Sequence, residues 1–590
     1  MDRKSLQQSF LLLRLYLRPE WPLMLLMLLL LLGGIGLQML QPQILRDFID
    51  LATGGISRTS LGGLNSLLAV AVLFMGVAVL NQVFNAAATY VTQVVRWRTT
   101  NELRADLARH CLGLDMGFHN ARTAGEMISR VDEDINLLSN FLSQFVIQVL
   151  GNGLLIAGVI LVLFGEDWRI GLGFLLFVLV TGRALSYVIH LAVPYWQAFN
   201  VMGAKLFAFI EERLAGTEDI RANGAAAYTM LGLHRTLREQ YEVEQKGFAF
   251  GMLMWTTTQG LFRVGTALGL ALGGYLYQQQ LITIGTVYLI VGYSALLQEP
   301  LRRLTQQLQD LQRAVAGAVR VQEMYFIQSN IQDDAPQDGQ LPAGALAVSF
   351  RDVSFHYNPD NPVLQGVSFD LAPGQVLGLL GRTGSGKTTM TRLIFRLYDT
   401  VAGEVWVGSR PVAAVPRVNL RRKVGLVTQE VQLFNATIRD NLTFFNPAIS
   451  DGQILAALQR LELLSWYESL PNGLDTVLEA GGRGLSAGEG QLLAFTRVFL
   501  QDPGLIILDE ASSRLDPATE ALIERAVDHL LAGRSAIIVA HRLDTVQRAD
   551  DILILESGRV QEYGPRAALL ADPGSHFSQL LQTGLAEVLA

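Results

Sequence analysis

A chain of 590 residues is too long for one hydrophobic core, and length alone suggests three or four domains. Composition corrects that: half the residues are hydrophobic, 17% are charged and the mean hydropathy is +0.31, which points to a membrane and argues against an all-soluble chain. The net charge of −7 gives no argument for nucleic acid as a partner, and a single cysteine, Cys111, excludes an intrachain disulfide or a thiolate metal cluster.

Arg3 and Lys4 precede a hydrophobic stretch, as in a signal peptide. Trp21 to Leu45 is too long for a signal core and has no small-residue cleavage site, so it reads as a span that stays. Residues 1–20 alternate basic residues with a leucine and phenylalanine face, the pattern of an amphipathic helix lying on the membrane surface. Six apolar stretches long enough to cross a bilayer follow, at 21–45, 64–92, 139–164, 168–193, 249–276 and 281–300. The third and fourth are separated by little more than Glu166-Asp167.

Loop charges orient these spans. Arg14 and Arg18 precede the first; Arg96, Arg98, Arg104, Arg109, Arg122 and Arg130 lie between the second and third. Arg213, Arg221, Arg235 and Arg238 lie between the fourth and fifth, and Arg302, Arg303 and Arg313 follow the sixth. The remaining loops are short and poor in Lys and Arg, so the positive-inside rule places both termini in the cytoplasm. The expected setting is a bacterial inner (plasma) membrane.

The two long cytoplasmic connections, 93–138 and 194–248, do not read as loops. Leu103, Leu107, Cys111 and Leu114, then Met127, Val131, Ile135 and Leu138, recur at helical spacing. The spans are expected to continue out of the membrane as amphipathic helices, turning near His119-Asn120-Ala121-Arg122 and near Asn223-Gly224-Ala225. Such turns are placed to touch a cytoplasmic domain. Arg183 and Arg263 fall inside spans four and five, either as functional intramembrane charges or as arginines reaching a water-filled cavity or an interface.

Residues 328–345 shift to Gln, Asp, Pro and Gly, a linker, and from Leu346 the pattern is soluble α/β. Val376-Leu377-Gly378-Leu379-Leu380 is an apolar run of buried-strand type. Gly381-Arg382-Thr383-Gly384-Ser385-Gly386-Lys387-Thr388 fits G-x-x-x-x-G-K-[ST], and Thr389 to Leu397 has helical spacing. Without side chains at Gly384 and Gly386, backbone N–H groups can close around phosphate oxygens at a helix N-terminus. Lys387 can reach the β- and γ-phosphates, and the Thr388 hydroxyl can ligate Mg2+. Read alone, the stretch also fits a glycine-rich turn before an ordinary helix. The downstream runs decide against that: Leu505-Ile506-Ile507-Leu508 delivers Asp509 and Glu510 to a strand end, and strand-like Ser535 to Ala540 precedes His541.

In this order the motifs resemble a half-transporter of the ABC exporter family, over nearly the whole length. The resemblance implies a membrane α-helical domain of six transmembrane helices with long cytoplasmic extensions (21–327), a linker (328–345) and an α/β P-loop ABC ATPase domain (346–590), after the N-terminal helix (1–20). It implies that residues 381–389, Gly381, Arg382, Thr383, Gly384, Ser385, Gly386, Lys387, Thr388 and Thr389, bind ATP with Mg2+. Asp509 helps hold Mg2+ through water, and Glu510 polarises the attacking water. His541 matches the switch histidine at the γ-phosphate, and Gln429, after Val424 to Thr428, matches the glutamine loop that senses Mg2+ and water. Tyr357 matches the aromatic residue that stacks on adenine, although a tyrosine packed in the core gives the same pattern. Asp516 matches the loop facing the opposite subunit.

The family's L-S-G-G-Q signature reads Leu485-Ser486-Ala487-Gly488-Glu489 here. Ser486 and Gly488 are the residues expected at the ATP of the partner subunit. Ala487 adds a Cβ where backbone approaches closely, and Glu489 adds an anion, worth ~1 kcal/mol at 4 Å in water and ~4 kcal/mol at an effective dielectric of 20. The acidic residue upstream is displaced, with Glu479 or Ala480 in its place. The resemblance therefore extends to subunits of asymmetric heterodimeric multidrug-type exporters. The expected function is ATP-driven export of an amphipathic substrate, with a second, different half-transporter chain as partner and membrane lipid around it. Alternatives are a homodimeric exporter of lipid or peptide, or an ATP-gated regulator or channel; the substrate itself is not legible.

Overall fold

The computed structural model describes residues 16, 18–53, 66–144, 149–333, 339–428, 431–479, 485–509, 517–540 and 546–583. The chain divides into two compact units, one of Met1–Leu112 and Ala124–Ile327, the other of Gly113–Thr123 and Gln328–Ala590. Of the expected N-terminal surface helix, only Tyr16 and the single turn Arg18–Glu20 fall within the described residues.

The first unit is built of long helices: α1 (Trp21–Ala52), α2 (Leu67–Gly113), then past the short α3 (Met116–Asn120) and α4 (Ala124–Ile128), α5 (Ile135–Gln144), α6 (Asn152–Glu166), α7 (Trp168–Ala215), α8 (Thr217–Ala222), α9 (Ala226–Gln278) and α10 (Ile284–Phe326). Helices α2, α7 and α9 run for 47, 48 and 53 residues. At 1.5 Å per residue they are about 70–80 Å long, against about 30 Å of hydrocarbon. The expected continuation of the spans as helices is therefore what forms. Between α6 and α7 the chain reverses on Asp167 alone, whose carboxylate accepts from the Arg169 amide at 2.7 Å.

Four helical segments among the described residues are long and apolar enough to cross a membrane: Arg18–Ala52, Leu67–Gly113, Val149–Glu166 and Trp168–Ala215. The fifth and sixth expected spans lie within α9 and α10, which do not reach that apolarity. Thr256-Thr257-Thr258-Gln259 and a glycine stripe dilute α9, and Gln298-Glu299 dilutes the end of the sixth. The stripe has a packing cause. A Cβ at Gly265 would lie 2.3 Å from the Phe177 ring, and at Gly269 and Gly273 it would lie 3.1 and 3.2 Å from Ile290. Small residues let these helices approach closely, as in membrane interfaces generally. Around them Val159, Leu163, Ile170, Phe174, Leu276, Leu289 and Tyr293 form a buried core. At the other end of α1, Asp50 accepts from the Gly285 amide (2.8 Å) and the Thr283 hydroxyl (2.7 Å), capping the start of α10. Arg46 pairs with Asp47 and Glu166 there, so these buried charges are compensated.

The second unit carries two sheets. An antiparallel one orders β2 (Asn361–Leu371), β1 (Val348–Asn358), β4 (Ala402–Val407) and β5 (Arg410–Pro411). The other orders β10 (Arg559–Pro565), β9 (Asp551–Glu556), β3 (Val376–Leu380), β8 (Ser535–Val539), β7 (Leu505–Asp509) and β6 (Val424–Val427), all parallel except the β10 edge. Strands β3, β7 and β8 are continuous apolar runs because both faces of their sheet are covered, one by the antiparallel sheet together with a helix and the other by helices. Leu377, Leu379, Ile507, Ile537 and Val539 face one core, and Ile506, Leu508, Ile538 and Phe495 another. The faces are covered by α11 (Lys387–Ile394) and α16 (Ala487–Gln501), among others. Helix α11 ends before the expected Leu397 because Arg396 takes φ +48°, reversing the chain.

Candidate active site

Val539 is the register partner of both Leu379 and Asp509, and Leu508 is that of Val427. Strands β3, β8, β7 and β6 thus finish at one sheet edge, where open α/β sheets bind ligands. From that edge the chain enters the 381–388 loop after β3, Gln429 after β6, Glu510 after β7 and His541 after β8. Gln429, Glu510, Asp516 and His541 lie outside the described residues; the strands that lead to the first two and to His541 are described.

Polyphosphate fits the loop. Gly381, Gly384 and Gly386 take φ +146°, +83° and +110°, and a Cβ at Gly381 would meet the Leu555 carbonyl at 2.2 Å. The buried Lys387 ammonium donates to the carbonyl oxygens of Gly381 (2.5 Å) and Arg382 (3.1 Å). The Ser385 hydroxyl is buried with no hydrogen-bond partner among the described residues, an unmet polar group inside an anion-shaped loop. Thr388 and Thr389 open α11, and Asp509 closes β7. Among the described residues no group of three His, Cys, Asp or Glu side chains converges on a point that would hold a metal. Mg2+ fits such a site because it binds through one or two protein ligands plus phosphate oxygens and water.

Tyr357 is not a core residue: its ring is 45% exposed, whereas Phe355, two residues earlier on the same strand face, is buried. The Tyr357 hydroxyl lies 3.1 Å from Thr389 Oγ1 and accepts from Arg392 at 3.1 Å, so the ring stands beside the loop's helix. Its ring is edge to face with Phe355 (4.9 Å) and Tyr398 (5.1 Å). Tyr398 in turn accepts a 2.7 Å bond from Asn120 on α3. Helix α3 is the turn expected near 119–122, and its segment 113–123 groups with the ATPase unit. Sequence reasoning missed Tyr398 and Arg392, which carry no motif.

The signature segment opens α16. Ser486 caps α16, its hydroxyl accepting from the Glu489 amide (3.2 Å), while Glu489 Oε2 accepts from the Ser486 amide (2.7 Å). Glu489 Oε1 accepts from the Trp466 indole N–H at 2.9 Å. Both carboxylate oxygens are thus turned onto the helix's own start, a capping box. Glu489 is therefore a structural cap, with its charge held at the start of α16. Gly488 is buried, Ala487 and Glu479 are exposed, and Ala480 lies outside the described residues.

Arg497, on the same helix, was also missed. It donates to the carbonyls of Asn441 (2.6 Å) and Gln432 (3.0 Å) and to Asn441 Oδ1 (3.1 Å), tying α16 to the segment after Gln429. Burial pushes its guanidinium down to about 10. An arginine within the apolar run Ala494 to Leu500 was the available signal. Arg183 and Arg263 are exposed on α7 and α9, without an ion-pair partner among the described residues.

Residues 24–301 match the family model of the ABC transporter transmembrane region, and residues 364–513 match the ABC transporter family model. The chain is 31% identical over 516 residues to the ABC transporter ATP-binding protein YknV of Bacillus subtilis, spanning 87% of this chain and 85% of that one. It is 29% identical over 481 residues to an ATP-dependent lipid A-core flippase of Syntrophus aciditrophicus, spanning 81% and 80%. It is likewise 29% identical over 480 residues to a fatty acid ABC transporter ATP-binding/permease protein of Mycobacterium bovis, spanning 81% and 76%. A bacterial Atm1-family ABC exporter solved with ATP bound shares the fold, with TM-score 0.75 and 24% identity over 97% of this chain and 98% of that one. Fold and site define an integral, multi-pass membrane protein whose ATPase is coupled to transport. The chain belongs to the ABC transporter family, as a half-transporter with its membrane domain fused to its ATPase domain. Half-transporters of this kind dimerize.

Proposed function

We propose that the chain exports an amphipathic, lipid-like substrate, driven by ATP with Mg2+, as one half of a dimer with both termini cytoplasmic. The observation that carries this is the shared sheet edge: the phosphate loop and Asp509 lie on it beside the strand ends that lead to Gln429, Glu510 and His541. When bound there, ATP supplies a phosphoryl group whose transfer to water drives the cycle. Lys387 balances phosphate charge, and Thr388 and Asp509 would hold Mg2+, Asp509 through water, where the ion would neutralise charge on the phosphates. Glu510 orients the attacking water and takes its proton, while Gln429 and His541 position that water and the terminal phosphate. Tyr357 offers its ring to adenine, and Ser486 and Gly488 of one half contact the nucleotide held by the other.

The expectation of a different partner chain rested on Ala487 and Glu489. With Glu489 held as a cap and Ala487 at the exposed first position of α16, we favour two copies of this chain over a heterodimer. The lipid A-core and fatty acid relatives support a lipid-like cargo. The test is to express the chain alone, reconstitute it in liposomes and measure ATP turnover with outward movement of labelled lipids. Lipid-stimulated turnover supports the reading. Turnover that appears only once a second, different half-transporter is co-purified overturns the two-copy form.

A further inference from the structure

Helical threonines in this chain commonly turn their hydroxyls back on their own helix. Thr92, Thr258, Thr266, Thr443 and Thr496 each donate to the carbonyl four residues earlier, at 2.7 to 3.0 Å. Thr389 makes no such bond among the described residues. The carbonyl four residues before it, that of Ser385, accepts from the Gly558 amide at 3.1 Å. The buried Thr389 hydroxyl instead lies 3.1 Å from the Tyr357 oxygen. Thr389 is the third residue of α11, before the first amide that bonds within the helix, Met390 to the Gly386 carbonyl (3.0 Å). It therefore belongs to the donor-rich helix start that the phosphate loop opens into.

Arg392 stands one turn further along the same helix face, and its Nη1 donates to the Tyr357 oxygen at 3.1 Å. Among the described residues it has no ion pair and no other hydrogen-bond partner. A guanidinium can only donate, whereas the phenol and the threonine hydroxyl each donate once and also accept. Arg392 therefore sets the direction of the chain of bonds. The Tyr357 oxygen accepts from the guanidinium, which leaves its own proton for Thr389 Oγ1. Thr389 accepts that proton and keeps its own hydrogen for a further acceptor. At the start of α11 the acceptor that fits is a phosphate oxygen, because the neighbouring groups there are backbone donors.

We propose that Arg392 is a positioning residue for the nucleotide, acting through Tyr357 and Thr389 so that the Thr389 hydroxyl is presented as a donor to phosphate. Tyr357 then has two duties: its ring meets adenine, and its hydroxyl orders a phosphate contact. The inference deepens the reading that ATP occupies this loop, and rests on it.

Inorganic tripolyphosphate separates the two duties, because it carries phosphates and no base. The probe is Mg2+-tripolyphosphate, titrated against the full-length protein in lipid nanodiscs. Its dissociation constant is read from the ligand-dependent rise in melting temperature, and again from competitive inhibition of ATP turnover. Tyr357→Phe keeps the ring and removes the hydroxyl, so a tyrosine that only stacks on adenine predicts no change. The relay predicts tripolyphosphate binding weaker by about two- to tenfold, the effect of one hydrogen bond. Arg392→Met, which keeps a long apolar stem and removes the donor, should give the same loss, and the KM for ATP should rise with it. The double variant should lose no more than either single one. Arg392→Lys, again a cation that only donates, should bind tripolyphosphate more tightly than Arg392→Met.

Unchanged tripolyphosphate binding in Tyr357→Phe or in Arg392→Met overturns the proposal. Additive losses in the double variant also overturn it, since Arg392 would then act on phosphate directly by its charge. Equal losses in Arg392→Lys and Arg392→Met would remove the donor-only polarity on which the relay depends. Lys387→Met distinguishes failure of the relay from failure of the reading beneath it. Loss of tripolyphosphate binding in that variant is expected. Undiminished binding there would overturn the loop as the ATP site and the relay with it, whereas unchanged binding in the Arg392 variants overturns the relay alone.

Discussion

The Asn120 side-chain amide donates a 2.7 Å hydrogen bond to the Tyr398 hydroxyl, joining residues 278 apart in sequence. Tyr398 stands edge to face with Tyr357 beside the phosphate loop's helix, so α3 and the expected adenine contact share one aromatic cluster. Helix α3 follows α2 in the chain after only Leu114 and Asp115. Tyr398→Phe keeps the ring pair and removes the bond, worth about 0.5–1.5 kcal/mol. The ratio of substrate-stimulated to basal ATP turnover should fall about two- to tenfold. Asn120→Ala should lower it similarly, and the double variant no further. Full additivity of the two changes would show that the bond is not the coupling element.

Glu510 follows Asp509 directly at the end of β7, on the edge shared with the phosphate loop. Glu510→Gln should retain ATP binding and lose turnover by at least ~10²-fold, the low end for one general base. A variant with turnover near wild type would remove Glu510 from the mechanism. Binding measured by nucleotide-dependent thermal shift separates loss of chemistry from loss of the site.

The ATPase unit was legible where burial makes the sequence monotonous. Val376 to Leu380 and Leu505 to Leu508 read as strands because both of their faces are covered, and the structure places β3 and β7 there. The membrane unit was less legible at α9, where Gly265, Gly269 and Gly273 serve close packing and the glycines together lower its apolarity below that of a simple span. The capping role of Glu489 was legible but unread: Ser486 three residues before a glutamate is itself a helix-start signature. Tyr398 could not be found from sequence, because its partners lie on distant elements with no shared motif.

The two accounts of Glu489 differ measurably. As an anion facing the partner's phosphates it would oppose nucleotide by ~1–4 kcal/mol, so Glu489→Gln would raise the apparent affinity for ATP about fivefold to several hundredfold. As a cap it gives a different outcome. Glutamine still accepts from the Ser486 amide, and a lost cap costs about 0.5–2 kcal/mol of stability at most. We expect apparent affinity within about twofold of wild type and a small fall in melting temperature. A gain of fivefold or more would restore the anion account, and with it the case for a different partner chain.

Orientation is open to a direct check. Ser57, between the first two spans, lies outside the described residues, while Cys111 is buried on α2 against the Met324 sulfur at 3.3 Å. In sealed cells, Ser57→Cys in a Cys111→Ala background should react with an impermeant thiol reagent. The wild-type chain should stay unlabelled until the cells are opened and the protein denatured. Labelling of Cys111 from outside would reverse the orientation.

Asp115, the N-cap of α3, supplies a pH dependence whose sign can be worked out. Burial alone would raise its pKa, but the amides of Asn330 (2.6 Å) and Phe118 (3.0 Å) and the Ser329 hydroxyl (3.4 Å) outweigh it, and the carboxyl is held below its ordinary 3.8. A group depressed in the folded state contributes stability that is fully present above the unfolded value and is lost as pH falls through the folded one. The attachment of segment 113–123 to residues 329–330 should therefore be constant from pH 7 to 5 and weaken only below about 3.8. Asp115→Asn keeps one neutral acceptor and loses the charge, costing about 1–2 kcal/mol at neutral pH. Hydrogen exchange at the Asn330 amide should be correspondingly faster in the variant, by about five- to thirtyfold at every pH between 7 and 5. The two proteins should converge only in acid. A gap that opens or closes between pH 7 and 5 would mean that another group, not Asp115, controls the attachment.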